Sequence, residues 1–356
     1  MTLHDIDRLR GAPVLVTGAS GFSGSVLVRQ LVQAGAKVRG LARPSSRVEH
    51  LQEFPVEWIR GEVFDPATVE HAAQGVEYIF HLAAAYREAG ISDETYRNVH
   101  VLSTKLLAAA ATKNSNFKRF IHTSTVGVHG HIDNPPADES YAFAPGDIYQ
   151  STKLEAEQWI CNFAQERQLP LTVIRPAAIL GPGDRRLLKI FKMACRSFYP
   201  VIGNGRCLYH LIHVEDLASA MIQAAVSEAA IGQIFIIGNT EPYSLKQMIE
   251  TISRKLGYRP TEIRLPAWPF FAAAALCEAA CRPFGIEPPI YKRRVAFFTK
   301  DRAFNTNRMQ QLLKFTPRFT NQSGLEQTAD WYVQKGWLKA GTAEPPAGQL
   351  ARTMER

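Results

Sequence analysis

Short apolar runs alternate with amphipathic stretches through the first half of the chain. The runs at residues 14–17, 37–42, 56–60, 78–83, 119–124 and 171–175 are short and rich in Val, Ile, Leu and Phe, and most are bounded by Gly, Pro or polar residues. Runs of that length predict strands. Between them, residues 23–34, 103–112 and 152–168 repeat apolar positions at helical spacing. Strands alternating with helices predict parallel pairing through right-handed crossovers, hence an α/β fold with a doubly wound parallel sheet of the Rossmann type. A run at 234–237 follows a helical stretch at 217–226 and is expected to rejoin the sheet. From about residue 181 Pro and aromatic residues become more frequent, and helices at 245–256 and 324–334 are interrupted by loops. The expected organisation is a sheet domain over 1–180, rejoined at about 215–240, a smaller and mostly helical part formed by 181–214 and 241–338, and a disordered tail over 339–356.

Residues 265–281 depart from this alternation. They read LPAWPFFAAAALCEAAC, apolar on every side and marked by Pro266, Pro269 and Glu278. A spanning helix wants about 20 apolar residues, so the plainer expectation is a buried helix or the wall of a substrate pocket. The alternative is an interfacial helix in peripheral contact with a membrane.

Composition narrows the class. The chain has 356 residues, 46% hydrophobic and 21% charged, as in a globular enzyme. A net charge of +8 admits an anionic partner, yet no basic block is longer than Lys292-Arg293-Arg294, so nucleic acid is not expected. Five cysteines form neither a C-x-x-C pair nor a Cys/His metal spacing. Reduced thiols, no metal site and a cytoplasmic location are expected, with membrane association through 265–281 left open. The polar N-terminal stretch MTLHDIDRLRG carries no secretory pattern.

Directly behind the first predicted strand stands Gly18-x-x-Gly21-x-x-Gly24. Gly18 permits a tight turn, Gly21 lets backbone approach a pyrophosphate, and Gly24 lets the next helix pack close to the strand. The helix starting near Phe22 would aim its amide groups and positive dipole end at that anion. The sheet domain is therefore expected to bind a dinucleotide. Its second strand ends at Arg43, where an NAD site usually has Asp or Glu for the ribose hydroxyl, and no carboxylate follows before Glu49. Arg43, with Ser45, Ser46 or Arg47, suits a 2′-phosphate. NADP is the expected cofactor, with NAD as the alternative.

Tyr149 and Lys153 stand four residues apart at the start of a predicted helix, hence on one face. A phenol titrates near 10 and is a poor base at neutral pH, but a neighbouring ammonium stabilises the phenolate. Thr125 lies at the end of an upstream strand, where open parallel sheets place their ligands.

These motifs together resemble the extended short-chain dehydrogenase/reductase superfamily over nearly the whole chain to about Leu338. Thr17 to Gly24 is similar to its TGxxGxxG signature, His81-Leu-Ala-Ala84 to its strand-end segment on the nicotinamide side, and His122 to Gly130 to the segment carrying the catalytic Ser or Thr. The resemblance implies catalytic roles for Thr125, Tyr149 and Lys153. It implies cofactor contacts from Gly18, Ser20, Gly21, Phe22, Ser23, Gly24, Arg43, Glu62, Val63, Leu82, Ala83, Ala84, Tyr149, Lys153 and Pro176. Two segments depart from the pattern. The Gly-Asp adenine segment reads Gly61-Glu62-Val63, and the register of Asn98 to Thr104 against the family's Asn-Val-x-Gly-Thr is ambiguous, so either Asn98 or His100 takes the Asn position.

Epimerases and dehydratases of the superfamily usually carry an Asn after the Arg-Pro strand and an Arg before the His-Val-x-Asp element. Here Ala177-Ala178 and Tyr209 stand in those places. The resemblance is nearer to the 3β-hydroxysteroid dehydrogenase and dihydroflavonol reductase branches. It implies hydride transfer between NADP(H) and a secondary alcohol or ketone on a hydrophobic, steroid-, lipid- or polyketide-like molecule, bound by the C-terminal part. The alternatives are a nucleotide-sugar 4-epimerase or dehydratase with retained NAD(P), and an NADP-binding protein without turnover. Self-association as a homodimer is left open.

Overall fold

The computed structural model describes residues 8–86, 91–203, 205–284, 288–289, 295–296 and 298–341. Lys292-Arg293-Arg294, and the expected tail from residue 342 onward, lie outside them. The chain divides into two compact units, each assembled from three separate stretches.

The first unit comprises Met1–Ile179, Leu211–Thr240 and Phe304–Arg318. Residues 304–318, assigned from the sequence to the C-terminal part, fall in this sheet unit. Its centre is a seven-stranded parallel sheet of β1 (Pro13–Thr17), β2 (Lys37–Ala42), β3 (Val56–Arg60), β4 (Tyr78–His81), β5 (Arg119–Thr123), β6 (Leu171–Pro176) and β7 (Ile234–Ile237). The spatial order is β7-β6-β5-β4-β1-β2-β3, with every pairing parallel. The order reverses between β1 and β4, which opens a crevice at their carboxyl ends. β1 and β4 to β6 are buried on both faces, which is why they read as unbroken apolar runs rather than alternating ones.

Helices cover both faces. On one, α1 (Phe22–Gln33) buries Leu27, Val28 and Leu31 and packs on α5 (Val214–Val226). On the other lie α2 (Pro66–Ala73), α3 (Ser103–Ala111) and α4 (Ile148–Arg167). α3 is preceded by an α-helical turn, Asp93–Arg97, and by a π-helical turn, Asn98–Leu102. The strands expected to reach residues 83 and 124 stop at His81 and Thr123, because the chain turns off the sheet edge toward the crevice. α4 begins four residues earlier than its apolar period suggests, with the Asp147 carboxylate accepting from the Gln150 amide at 2.8 Å.

A buried ion pair ties the β5–α4 connection to the sheet. Arg175 and Glu157 are 1% and 2% exposed, and Arg175 Nε donates to Glu157 Oε2 at 3.2 Å. Arg175 Nη1 reaches His129 Nε2 at 3.0 Å and the Glu139 carbonyl at 2.8 Å, and its guanidinium lies 5.2 Å from the Phe143 ring centre.

The second unit comprises Leu180–His210, Glu241–Ala303 and Phe319–Arg356. Strands Phe198–Ile202 and Thr261–Leu265 pair in parallel, and Tyr243–Ser244 pairs antiparallel with Leu208–Tyr209. α6 (Leu245–Leu256) starts on a Ser244/Gln247 capping box and ends at Gly257 in the left-handed region. α7 (Trp268–Cys281) corrects the expectation of a buried helix. Ala274 alone of its residues is buried, while Trp268 and Leu276 are each 73% exposed. Alanine supplies much of the apolar character of 265–281 and little area, so composition there does not dictate burial. Among the described residues no helix is long and apolar enough to cross a membrane.

Removing one member of the buried pair leaves the other charge uncompensated. Arg175→Met is expected to destabilise the protein by about 3–5 kcal/mol, and Arg175→Met/Glu157→Leu to recover most of that loss, as read from urea unfolding midpoints. Equal losses in the single and double variants would contradict this account.

Candidate active site

The carboxyl ends of β1 to β6 carry the catalytic and cofactor residues expected from the sequence except Tyr149 and Lys153, which α4 supplies, and the residues at the start of α1. Gly18, at φ +68°, follows β1; a Cβ there would lie 2.9 Å from the Ala83 amide nitrogen. A Cβ on Gly24 would lie 2.1 Å from the Gly18 carbonyl oxygen. Both glycines are therefore required by close approach of backbone to backbone. α1 starts on Gly21, with no side-chain cap and no carboxylate in its first turn. Gly21 is exposed, and Ser20, Phe22 and Ser23 are partly exposed beside it. This cradle fits a pyrophosphate.

At the end of β2, Arg43 is exposed and lies in a tight turn. Arg60, from the end of β3, donates from Nη1 to the Ser46 carbonyl at 2.9 Å and the Arg43 carbonyl at 3.3 Å, and so pins that turn. Glu62 is partly exposed and Val63 buried just beyond β3, and Pro176 is buried at the end of β6. Beyond β4, Leu82 is partly exposed, Ala83 is buried and Ala84 is exposed.

Thr125 follows β5 and accepts from the Gly127 amide at 3.0 Å. Tyr149 and Lys153 share one face of α4. The Tyr149 ring meets those of His100 and Tyr86 edge-on, with centroids 5.4 and 5.9 Å away. Lys153 is 2% exposed and donates to the Thr123 carbonyl at 3.0 Å. Burial holds its ammonium down to about 8, with the Glu157 carboxylate acting the other way. The hydroxyls of Ser124 and Thr123 are buried without a partner among the described residues. Such groups suit a polar ligand at this sheet edge.

Beneath these residues runs a hydrogen-bonded layer in which each partner fixes the next. The Thr17 hydroxyl accepts from the Ala83 amide at 3.2 Å and donates to His81 Nδ1 at 2.7 Å. His81 Nε2 then carries the proton and faces the Ser103 and Thr104 hydroxyls, both at 3.1 Å. Those two hydroxyls donate to the Val99 and His100 carbonyls of the π turn. Burial first, and the Lys153 charge second, hold His81 down to about 3, so its ring is neutral. Sequence reading missed Arg60, Ser103 and Thr104. Their one signal is position, near a strand end or one helical turn from a site residue.

Residues 14–238 match the model of the NAD dependent epimerase/dehydratase family. The chain belongs to that family. It is an NAD(P)-dependent oxidoreductase of the extended short-chain dehydrogenase/reductase type, as the glycine cradle and the doubly wound sheet lead one to expect. It is 30% identical to the 3beta-hydroxysteroid-dehydrogenase/decarboxylase isoform 2 of Arabidopsis thaliana across 94% of this chain, and spans 64% of that relative's length. It is 28% identical to a putative dihydroflavonol 4-reductase of Synechocystis sp. across 91% of this chain and 95% of that one. The crystal structure of gox2253 superposes with a TM-score of 0.81 at 28% identity, covering 92% of this chain and all of the other. The likeness to the steroid dehydrogenase and dihydroflavonol reductase branches expected from the motifs thus holds within the epimerase/dehydratase family.

The buried lysine makes stability depend on pH. Its ordinary value is 10.5 and its folded value about 8, so across that window the unfolded chain binds more protons and native stability rises with pH. Below pH 8 the cost of the buried charge is present in full. Lys153→Met is expected to stabilise the cofactor-free protein at pH 7 by about 1–3 kcal/mol, with the gain shrinking toward pH 10.5. Urea titrations at both pH values measure it, and a Met variant that is less stable at pH 7 contradicts it.

Proposed function

We propose that this enzyme carries out reversible hydride transfer between NADP(H) and a secondary alcohol or ketone on a hydrophobic small molecule of steroid, lipid or polyketide type. The observation that carries the reading is Lys153, fully buried one helical turn from Tyr149 with its ammonium directed at the end of β5. A desolvated cation needs a partner that gains from it, and a phenol that must release and regain a proton is such a partner.

When bound, the nicotinamide supplies or takes up the hydride. In the reducing direction Tyr149 hands its phenolic proton to the substrate oxygen as charge develops there. Lys153 stabilises the phenolate left behind and holds the cofactor ribose. The Thr125 hydroxyl bonds the substrate oxygen and orients it. Gly18, Ser20, Gly21, Phe22, Ser23 and Gly24 hold the pyrophosphate. Glu62 and Val63 border the adenine, Leu82 to Ala84 and Pro176 border the nicotinamide, and Arg43 takes the 2′-phosphate. The second unit binds the apolar body of the substrate. Ala177-Ala178 and Tyr209, in place of an Asn and an Arg, favour this reading over a nucleotide-sugar epimerase that retains NAD. α7, apolar all round and exposed, is assigned to peripheral contact with a lipid surface rather than to passage across it.

Tyr149→Phe is expected to abolish reduction of an apolar ketone such as 1-decalone while cofactor affinity stays within about three-fold. Wild-type turnover of a UDP- or dTDP-sugar, with none on hydrophobic ketones, overturns the substrate class. Independently, Arg43→Asp removes a charge-assisted bond of about 1.5–3 kcal/mol. It is expected to weaken NADPH binding about ten- to hundredfold and to spare or improve NADH. Fluorescence titration of both cofactors against both proteins measures this, and a wild type that already prefers NADH contradicts it.

A further inference from the structure

His100 belongs to no motif that the chemistry above uses, yet it touches three pieces of the site. It is 1% exposed and occupies the middle of the π turn Asn98–Leu102. The Ala85 amide, in the loop that leaves β4, donates to its Nε2 at 3.1 Å. Its Nδ1 faces the Thr152 hydroxyl at 2.8 Å, and that hydroxyl donates to the Ile148 carbonyl at 2.7 Å. With Nε2 accepting and the Thr152 proton already used, Nδ1 carries the hydrogen, which fixes one tautomer. The ring also stands edge-on to Tyr149, its plane turned 84° from the phenol.

The π turn is what brings the ring there. One extra residue in a helical turn shifts the side chain around the axis, and such turns recur at functional sites. This one is bonded in its turn to the strand end, because the Val99 and His100 carbonyls accept from the Ser103 and Thr104 hydroxyls that face His81. Asn98, the other residue considered for this register, is only half-buried.

We propose that His100 is a positioning residue: a rigid, two-ended clamp that holds the β4 exit loop and the first turns of α4 in one relation, and so sets the Tyr149 phenol relative to Ala83-Ala84. The inference rests on the hydride-transfer reading for its consequence in catalysis, but the clamp itself does not. The role needs a donor and an acceptor on opposite edges of one flat side chain, and neutral imidazole supplies both. Burial first, then the charge of Lys153, hold the ring down to about 2, so it does not charge in any working range. His100→Phe keeps the packing on Tyr149 and loses both bonds. His100→Asn keeps a donor within reach of Thr152 and loses the acceptor for Ala85.

Hydrogen exchange of the Ala85 amide in cofactor-free protein reads the clamp directly, and exchange at least tenfold faster than wild type is expected in both variants. With NADPH and 1-decalone, kcat is expected to fall about 10- to 100-fold in His100→Phe and less in His100→Asn, with NADPH affinity within about three-fold. Unchanged Ala85 exchange overturns the clamp even if kcat falls, and wild-type kcat with accelerated exchange overturns its role in positioning. Should both variants fail to fold, the wild type still decides: ¹⁵N spectra of the His100 ring must show Nδ1 protonated and Nε2 bare between pH 6 and 9, and the opposite tautomer overturns the proposal. An inert Tyr149→Phe substitution beside accelerated Ala85 exchange would instead remove the hydride-transfer reading and leave the clamp standing.

Discussion

The carboxyl ends of β1 and β4 can lie side by side only because Gly18 carries no side chain. A Cβ there would meet the backbone of Ala83, and one on Gly24 would meet the carbonyl of Gly18. This contact of three backbone segments sets how wide the crevice at the sheet's reversal point can be. The position of α1 follows from the same contact, because Gly24 lies in its first turn. The same closeness lets the Thr17 hydroxyl bond both the Ala83 amide and His81. The glycines and the buried polar layer are thus one device, with steric permission above and hydrogen bonds below.

That layer is unusual for the middle of a sheet. Thr17, His81 and His122 sit at register on adjacent strands, where neighbouring positions are Val, Ile and Phe. Burial keeps both rings neutral, His122 well below its ordinary value. The Thr17, Ser103 and Thr104 hydroxyls orient the neutral His81 ring as a dipole, which shapes the field near Lys153 without adding net charge beside it.

Much of this was legible in the chain. Short apolar runs alternating with helical stretches mark a parallel sheet, so six strands and the returning seventh were found to within two residues. Tyr149 and Lys153 could be paired because helical spacing puts them on one face. Arg43 stood out because it follows the second strand where an NAD site usually carries Asp or Glu. What escaped depends on three-dimensional detail. No residue pattern distinguishes a π turn from an α turn, so Asn98 and His100 could not be separated. Arg60 acts through two carbonyl oxygens, which sequence cannot display. The apolar stretch from Leu265 misled because hydropathy counts alanine as hydrophobic whether or not a neighbour covers it.

The alternation of the chain between units has a consequence for how this molecule can change. Six stretches in strict alternation leave five junctions, so neither unit corresponds to a contiguous piece that could be gained, lost or exchanged by a single recombination event. Variation in the second unit must arrive residue by residue or as insertions between fixed junctions. Drift there leaves the order of the sheet strands untouched. A lineage built this way can vary its second unit while its crevice at the β1–β4 boundary stays the same.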